Sequence, residues 1–271
     1  MKKYELFKEN ESDTLFRIRA LRSFDDVKAG DVGGYVESEY NLSHEGNCWI
    51  YNTAKVFGNA RVYDNVWVYG EAQVYGSASV FGGAKVFGNA RVYDYAWVYG
   101  NALVYGNVCV CGNARVYGKA YVYGNASVYG NAQVYENGWV NENAQVFGNA
   151  RVYGNALVCG YAWVYESAQV YGEARVHDSA QVCGNALVCD NAKVYGNAKV
   201  CENARVHGNA KAWVSGNTQV CEIDTNESSV VTTADECVEN LLTATNGVIP
   251  AKDVVDLLTR YKIPYTLRNT F

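Results

Sequence analysis

Proline, methionine and histidine are almost missing from this 271-residue sequence, which holds 2 Pro, 1 Met and 3 His. Together with 26 Gly, that scarcity argues against an ordinary globular core and for a duplicated array. No apolar run approaches the roughly 18 residues that a membrane-crossing helix requires. The first twelve residues are charged and lack the apolar segment of a signal peptide. A soluble, cytoplasmic protein that spans no membrane is therefore expected. None of the nine cysteines forms a CxxC pair, and in an unsecreted chain reduced thiols are the expected state.

Charge of one sign is also scarce. Residues 1–46 carry seven basic and ten acidic groups, residues 47–220 twelve and ten, and residues 221–271 four and eight. The middle is thus about +2, with −3 and −4 at the ends, and this sums to the net −5 of the chain. Neither the basic footprint of a nucleic-acid binder nor a heavily acidic surface is present.

What is present is a six-residue phrase, Val-Tyr-Gly-Asn-Ala-x, repeated with small variations. Stepping by six from Ile50, one meets Val56, Val62, Val68 and so on to Val206, which makes 27 consecutive hexads. Four residues after each lies a second slot, filled by Ala except at Val66, Val108 and Gly138. The spacing between the slots alternates four and two, so both face one interior and each phrase reads as a short strand. Gly58-Asn59, Gly88-Asn89, Gly100-Asn101 and their copies then turn the chain, since Gly and Asn tolerate positive φ. A period of six with Gly in every turn gives no helical stripe. One irregularity interrupts the array near its end, where Val206 to Val214 spans eight residues.

These residues resemble the hexapeptide-repeat proteins, which fold as left-handed parallel β-helices with three hexads to each triangular 18-residue coil. The resemblance implies an all-β solenoid of about nine coils, and at roughly 4.8 Å per stacked strand a rod about 43 Å long. A two-sided coil of two hexads is the alternative. The block before the array, with Asp26-Val27-Lys28-Ala29-Gly30, Gly33-Gly34-Tyr35, Leu42-Ser43 and Cys48-Trp49-Ile50-Tyr51, is similar to the start of the YdcK-like branch of that group. Three parts are expected: a β cap over residues 1–46, the solenoid over 47–221, and a tail over 222–271. In the cap, two strands are expected around Tyr4–Phe7 and residues 15–21. In the tail, helices are expected over residues 233–245 and 251–261, with a strand over 263–271.

On an 18-residue coil the slot after Val makes one column of Tyr63, Phe81, Tyr99, Tyr117, Tyr135, Tyr153 and Tyr171. Beside it run Arg61, Ser79, Trp97, Arg115, Gln133, Arg151 and Gln169. Tyr and Arg on a rigid surface are residue types that dominate binding hot spots, whereas stacked aromatics also simply stabilise neighbouring strands. The binding residues expected are the seven column rings, Arg115 and Arg151, and the apolar stripe Leu257, Leu258 and Tyr261 of the second tail helix. A 30-residue superperiod repeats Lys55–Tyr63 at Lys85–Tyr93, and because 30 is not a multiple of 18 the copies land on different faces.

Many hexapeptide-repeat proteins are trimeric acyltransferases with a catalytic His in a cleft between subunits and a loop that shapes the pocket. This sequence has only His44, His177 and His207, and no inserted loop from Ile50 to Val206. The closely spaced His pair of the related carbonic anhydrases is absent as well. Cys159 and Cys189 stand one coil before His177 and His207 respectively, a possible dyad or half zinc site without a third ligand. No catalytic residue, metal ligand or cofactor is assigned. The leading expectation is a non-enzymatic scaffold that binds a protein partner or itself, with a dimer or trimer left open. Because YdcK-like arrays are often met in phage genomes, one form of it is an inhibitor of a host or defence protein in a bacterial or phage-infected cell. An acyltransferase-like trimer is the second expectation and nucleic-acid binding the third.

Overall fold

The computed structural model describes residues 2–208 and, beyond them, the strands Trp213–Val214, Gln219–Val220, Asp224–Thr225 and Val230–Val231. The expected tail helices, and with them Leu257, Leu258 and Tyr261, lie outside the described residues.

The three-hexad coil is the one adopted. Lys55–Val56 pairs in parallel with Gln73–Val74, Arg61–Val62 with Ser79–Val80, and the same offset continues along the rod. The result is a β-solenoid of about ten turns with three walls, formed by sheets of 13, 11 and 10 strands. We number the faces in the order the chain meets them, the first carrying Val56, the second Val62 and the third Val68. Every Val and Ala slot between Ala54 and Val206 is buried, most of them completely, so the interior is a dry prism of small branched side chains. Each Val withdraws its surface from water at roughly 25 cal/mol per Å² of apolar area. In each hexad three backbone N–H groups donate to the following coil. Arg61 N bonds Ala78 O at 2.9 Å, Tyr63 N bonds Val80 O at 3.2 Å, and Asn65 N bonds Gly82 O at 2.8 Å.

The expected cap strands are present as β1 (Tyr4–Phe7) and β2 (Phe16–Ala20), joined antiparallel. A third, β3 (Val32–Val36), runs antiparallel to β2 and parallel to Lys55–Val56, so the cap extends the first face. Its Gly33 and Gly34 read as turn residues by propensity, yet they mark a close approach. A Cβ on Gly33 would stand 2.5 Å from the Ile50 carbonyl, and one on Gly34 2.5 Å from the Ala54 carbonyl. Coil stacking reaches back into this segment, with Val36 on Val56 and Leu42 on Val62. From Leu42 to Ile50 is eight residues, as it is from Val206 to Val214, and both long steps lie between the second and third faces. The cap's own core holds Tyr4, Ile18, Leu42, Trp49 and, fully buried, Lys3. The Lys3 ammonium donates to the Cys48 carbonyl at 2.8 Å and lies 3.2 Å from Cys48 Sγ, and burial lowers its pKa. Partners on all sides explain how a buried amine is tolerated there.

Every hexad corner needs a left-handed residue. Gly fills most of them, for example Gly118 at φ 71°, but Asp64, Asp94, Glu136, Glu142, Glu166, Asp178, Asp190 and Glu202 also take φ between 56° and 62°. The compensation is a hydrogen bond. Glu136 Oε2 accepts from Gly154 N at 2.9 Å, Glu166 Oε2 from Gly184 N at 2.6 Å, and Asp64 Oδ2 from Gly82 N at 3.0 Å. Replacing Glu136 by Ala keeps the strained Cβ and deletes the acceptor, so a loss of about 1–2 kcal/mol is expected. Glu136→Gly removes strain and bond together and should stay within about 0.5 kcal/mol of the parent. Urea unfolding of the two variants checks this, and equal losses would refute the compensation.

Candidate functional surface

The slot after each Val leaves the strand at the corner, where its side chain lies half-buried along the rod edge. In-register stacking sets the same slot of successive coils one strand spacing apart, which suits flat rings. The column read from the sequence is continuous. Tyr63, Phe81, Tyr99, Tyr117, Tyr135, Tyr153 and Tyr171 stack with centroids 5.0, 4.7, 4.8, 4.9, 4.8 and 4.9 Å apart and planes within 6°. Shorter columns follow the other faces, such as Tyr69, Phe87, Tyr105 and Tyr123 on the third.

Stacking closes the ring faces. Each ring inside the column covers both faces on its neighbours, and a nucleobase has nothing to stack on except at a column end. Only edges and hydroxyls face outward, and some of these are also engaged. Tyr117 OH donates to Gln133 Oε1 at 3.3 Å and Tyr153 OH to Gln169 Oε1 at 3.1 Å. Partial burial raises the phenol pKa of Tyr63, Tyr99, Tyr117, Tyr135 and Tyr153, and a hydrogen bond to Cys189 pushes Tyr171 up to about 12. Arg115 and Arg151 stand exposed on the adjoining strand column, two coils apart with Gln133 between them. The Arg115 guanidinium covers the Trp97 ring at 5.0 Å.

Residues outside the expected binding set project further. Tyr95 and Tyr161 are 65% and 66% exposed, and Trp97 and Trp163 two positions later are each 41% exposed. Tyr95 and Tyr161 occupy the corner slot that Asn fills most often, which is the signal that could have found them. At that slot Asn residues form ladders along the rod, for example Asn89 to Asn107 to Asn125 at 3.0 and 2.9 Å, and Tyr95 and Tyr161 each stand at the end of such a ladder, exposed. Trp97 and Trp163 lie edge-on to Phe81 and Phe147 at interplanar angles of 74° and 73°. The two pairs fall on the second and first faces respectively.

Cys159 and His177 occupy successive coils of the third face, and His177 Nδ1 is 3.3 Å from Asp178 Oδ1. Burial, reinforced by Glu142 and Asp178, pushes the Cys159 thiol up to about 11. That is the opposite of an activated thiolate. Among the described residues no group of three or more His, Cys, Asp or Glu could hold a metal ion, and Cys48, Cys109, Cys111, Cys159, Cys183 and Cys189 are free of disulfides.

A family model described as the YdcK beta solenoid repeat matches residues 54–70, 84–99, 144–160 and 150–166. Together with the stacked parallel coils, that match supports a solenoid of the YdcK-like kind. The chain is a YdcK-like β-solenoid. A protein of Escherichia coli (strain K12) named "Uncharacterized acetyltransferase YdcK" is 49% identical over 45 residues, which cover 16% of this YdcK-like chain and 14% of that protein. Among the described residues no helix is long and apolar enough to cross a membrane.

Two measurements follow. Tyr117→Phe loses one hydroxyl contact and should cost under about 1 kcal/mol, whereas Tyr117→Ala removes two ring contacts and buried area and should cost about 2–3 kcal/mol in urea unfolding. Iodoacetamide labelling of Cys159, followed by peptide mass spectrometry, should stay slow at pH 8 and rise toward pH 11. Rapid labelling at neutral pH would mean that the thiol is activated after all.

Proposed function

We propose that this solenoid is a non-enzymatic scaffold that binds a protein partner, a second copy of itself included, through aromatic side chains on its outer surface. The observation that carries the reading is the pair of protruding motifs Tyr95-Ala96-Trp97 and Tyr161-Ala162-Trp163, held on a rigid wall with the aromatic residues substantially exposed. Exposed Tyr and Trp with few rotatable bonds supply large contact area at small entropic cost. The column from Tyr63 to Tyr171, with Arg115 and Arg151, then acts as the flat ground beside the second-face anchor Tyr95-Ala96-Trp97, whereas Tyr161-Ala162-Trp163 stands on the first face. Binding through its closed rings is by edge and hydroxyl only. The nucleic-acid reading draws less support from a rod whose stacked rings offer few open faces.

A second reading is favoured by one observation, the acetyltransferase name of the Escherichia coli relative. It would require His177 or His207 to work in a groove between subunits. Both lie at half-buried column positions on the rod, outside the clefts at the cap.

The test is affinity capture from the native cell with the parent protein and with a Tyr95→Ser, Trp97→Ser, Tyr161→Ser, Trp163→Ser variant, alongside sedimentation of each. A stoichiometric partner, or a dimer or trimer of the parent, that the variant loses at least tenfold supports the scaffold. A trimer that transfers an acetyl group and stops doing so on His177→Ala or His207→Ala would replace it with the enzyme.

A further inference from the structure

One aromatic column is interrupted where the cap meets the rod. Tyr69, Phe87, Tyr105 and Tyr123 stack at 4.5–5.1 Å along the third face, and Tyr51 is the residue whose ring would extend that stack by one coil. Tyr51 is turned aside instead. Its hydroxyl donates to Asp26 Oδ1 at 2.6 Å, and its ring meets Trp67 edge-on at 6.0 Å and 67°. Among the described residues no ring stacks on the Tyr51 side of Tyr69. A cleft of about 330 Å³ opens there, lined by Asp26, Tyr51, Asn52, Trp67 and Tyr69.

The cleft has an uncompensated charge beside it. Asp25 and Asp26 form the tip of the turn Phe24–Val27, whose two backbone hydrogen bonds are each 2.9 Å, and Phe24 anchors it edge-on to Trp49 at 5.4 Å. Asp25 holds φ 47°, a conformation that an acidic residue adopts at a cost. Neither carboxylate forms an ion pair among the described residues, although Asp26 accepts from Tyr51. Lys85, from the coil beyond Trp67, holds its ammonium 4.0 Å from the Trp67 ring centroid, while Arg22 and Lys3 lie over the Phe24 ring of the turn at 6.0 and 5.2 Å.

We infer that this cleft receives a planar guanidinium, the side chain of an arginine on a partner protein. Three features select that group together. The open face of Tyr69 continues a stack of flat rings and asks for a flat guest. The Asp26 carboxylate in the cleft wall, with Asp25 next to it in the turn, asks for a cation with hydrogen-bond donors in its plane, which a guanidinium presents and an ammonium does not. The molecule also makes the same contact internally, with Arg17 over Tyr35 at 4.8 Å and Arg61 over Tyr40 at 5.1 Å. Arginine as the source rests on the scaffold reading above, whereas guanidinium binding by the cleft does not.

The test is a ligand-observed NMR titration of the full chain with Nα-acetyl-arginine methylamide and with its citrulline and lysine counterparts. Citrulline is planar but neutral, and lysine is charged but not planar. The arginine derivative should bind about tenfold tighter than either, and Asp26→Asn, which keeps an acceptor for Tyr51, should remove about tenfold of that affinity. Lys85→Ala should strengthen binding by removing a like charge. Thermal unfolding confirms that each variant is folded. Equal binding of the three derivatives, no loss in Asp26→Asn, or no saturable signal overturns the inference. Arginine binding together with failed partner capture would sink the scaffold reading and leave the cleft as a site for free guanidinium compounds.

Discussion

Everything in this molecule depends on parallel stacking at an offset of one three-hexad coil. A backbone that repeats with every coil sets each side chain directly over its equivalent in the next, at the spacing of paired strands. A residue is therefore acceptable only if it tolerates a near copy of itself at that distance. Val and Ala pass inside, because identical branched methyls fill a prism evenly. Flat rings pass at the corners, because one strand spacing is close to a stacking distance. Asn passes at the turn, since its amide is both donor and acceptor and can pair with its own kind, as Asn113, Asn131 and Asn149 do at 3.2 and 3.0 Å.

Carboxylates fail the same criterion, and their placement shows it. Two unit charges one strand spacing apart repel by roughly 1 kcal/mol even at the dielectric of water. At the left-handed corners each of Asp64, Asp94, Glu136, Glu142, Glu166, Asp178 and Asp190 is followed one coil later by a Gly. That Gly offers an N–H in place of a second charge, so one arrangement relieves repulsion and satisfies a donor that the ladder leaves out. Sequence variation in the corner slot thus follows an electrostatic rule.

The same constraint explains what could be read from the sequence. Spacing gives the short strand and its corner, whereas the three-hexad coil was implied by the resemblance to the hexapeptide-repeat proteins, with a two-hexad coil as the alternative; given a coil of 18 residues, the column from Tyr63 to Tyr171 follows by arithmetic. Side-chain direction is a different matter. That the seven rings shut their faces on one another, and that Tyr51 leaves its column for Asp26, depends on χ angles and on a turn brought in from the cap. The third cap strand was hidden for a related reason. Gly33 and Gly34 carry no strand propensity, and only the carbonyls of Ile50 and Ala54 pressing on them show why glycine is required in that strand. Tyr95 and Tyr161 were legible in principle, as bulky residues in a slot that otherwise holds Asn, Ser and other mostly small or polar side chains.

Periodicity also limits where a specific site can arise. On a uniform rod any partner that fits one coil fits the next, and recognition has no register. Specificity needs departures from the repeat, and the longer duplication spreads such departures over different faces, since its five hexads do not match the three of a coil. Trp67 and Trp97, one superperiod apart, accordingly stand on the third and second faces. The departures that bring several unlike side chains together gather at the cap. There the eight-residue step from Leu42 to Ile50, the turn at Asp25-Asp26 and the displaced Tyr51 meet within one coil. A second cleft, of about 360 Å³ and lined in part by Glu9, Asp13, Tyr35 and Lys55, opens at the same junction. The rod supplies stiffness and length, and the break in its symmetry supplies an address.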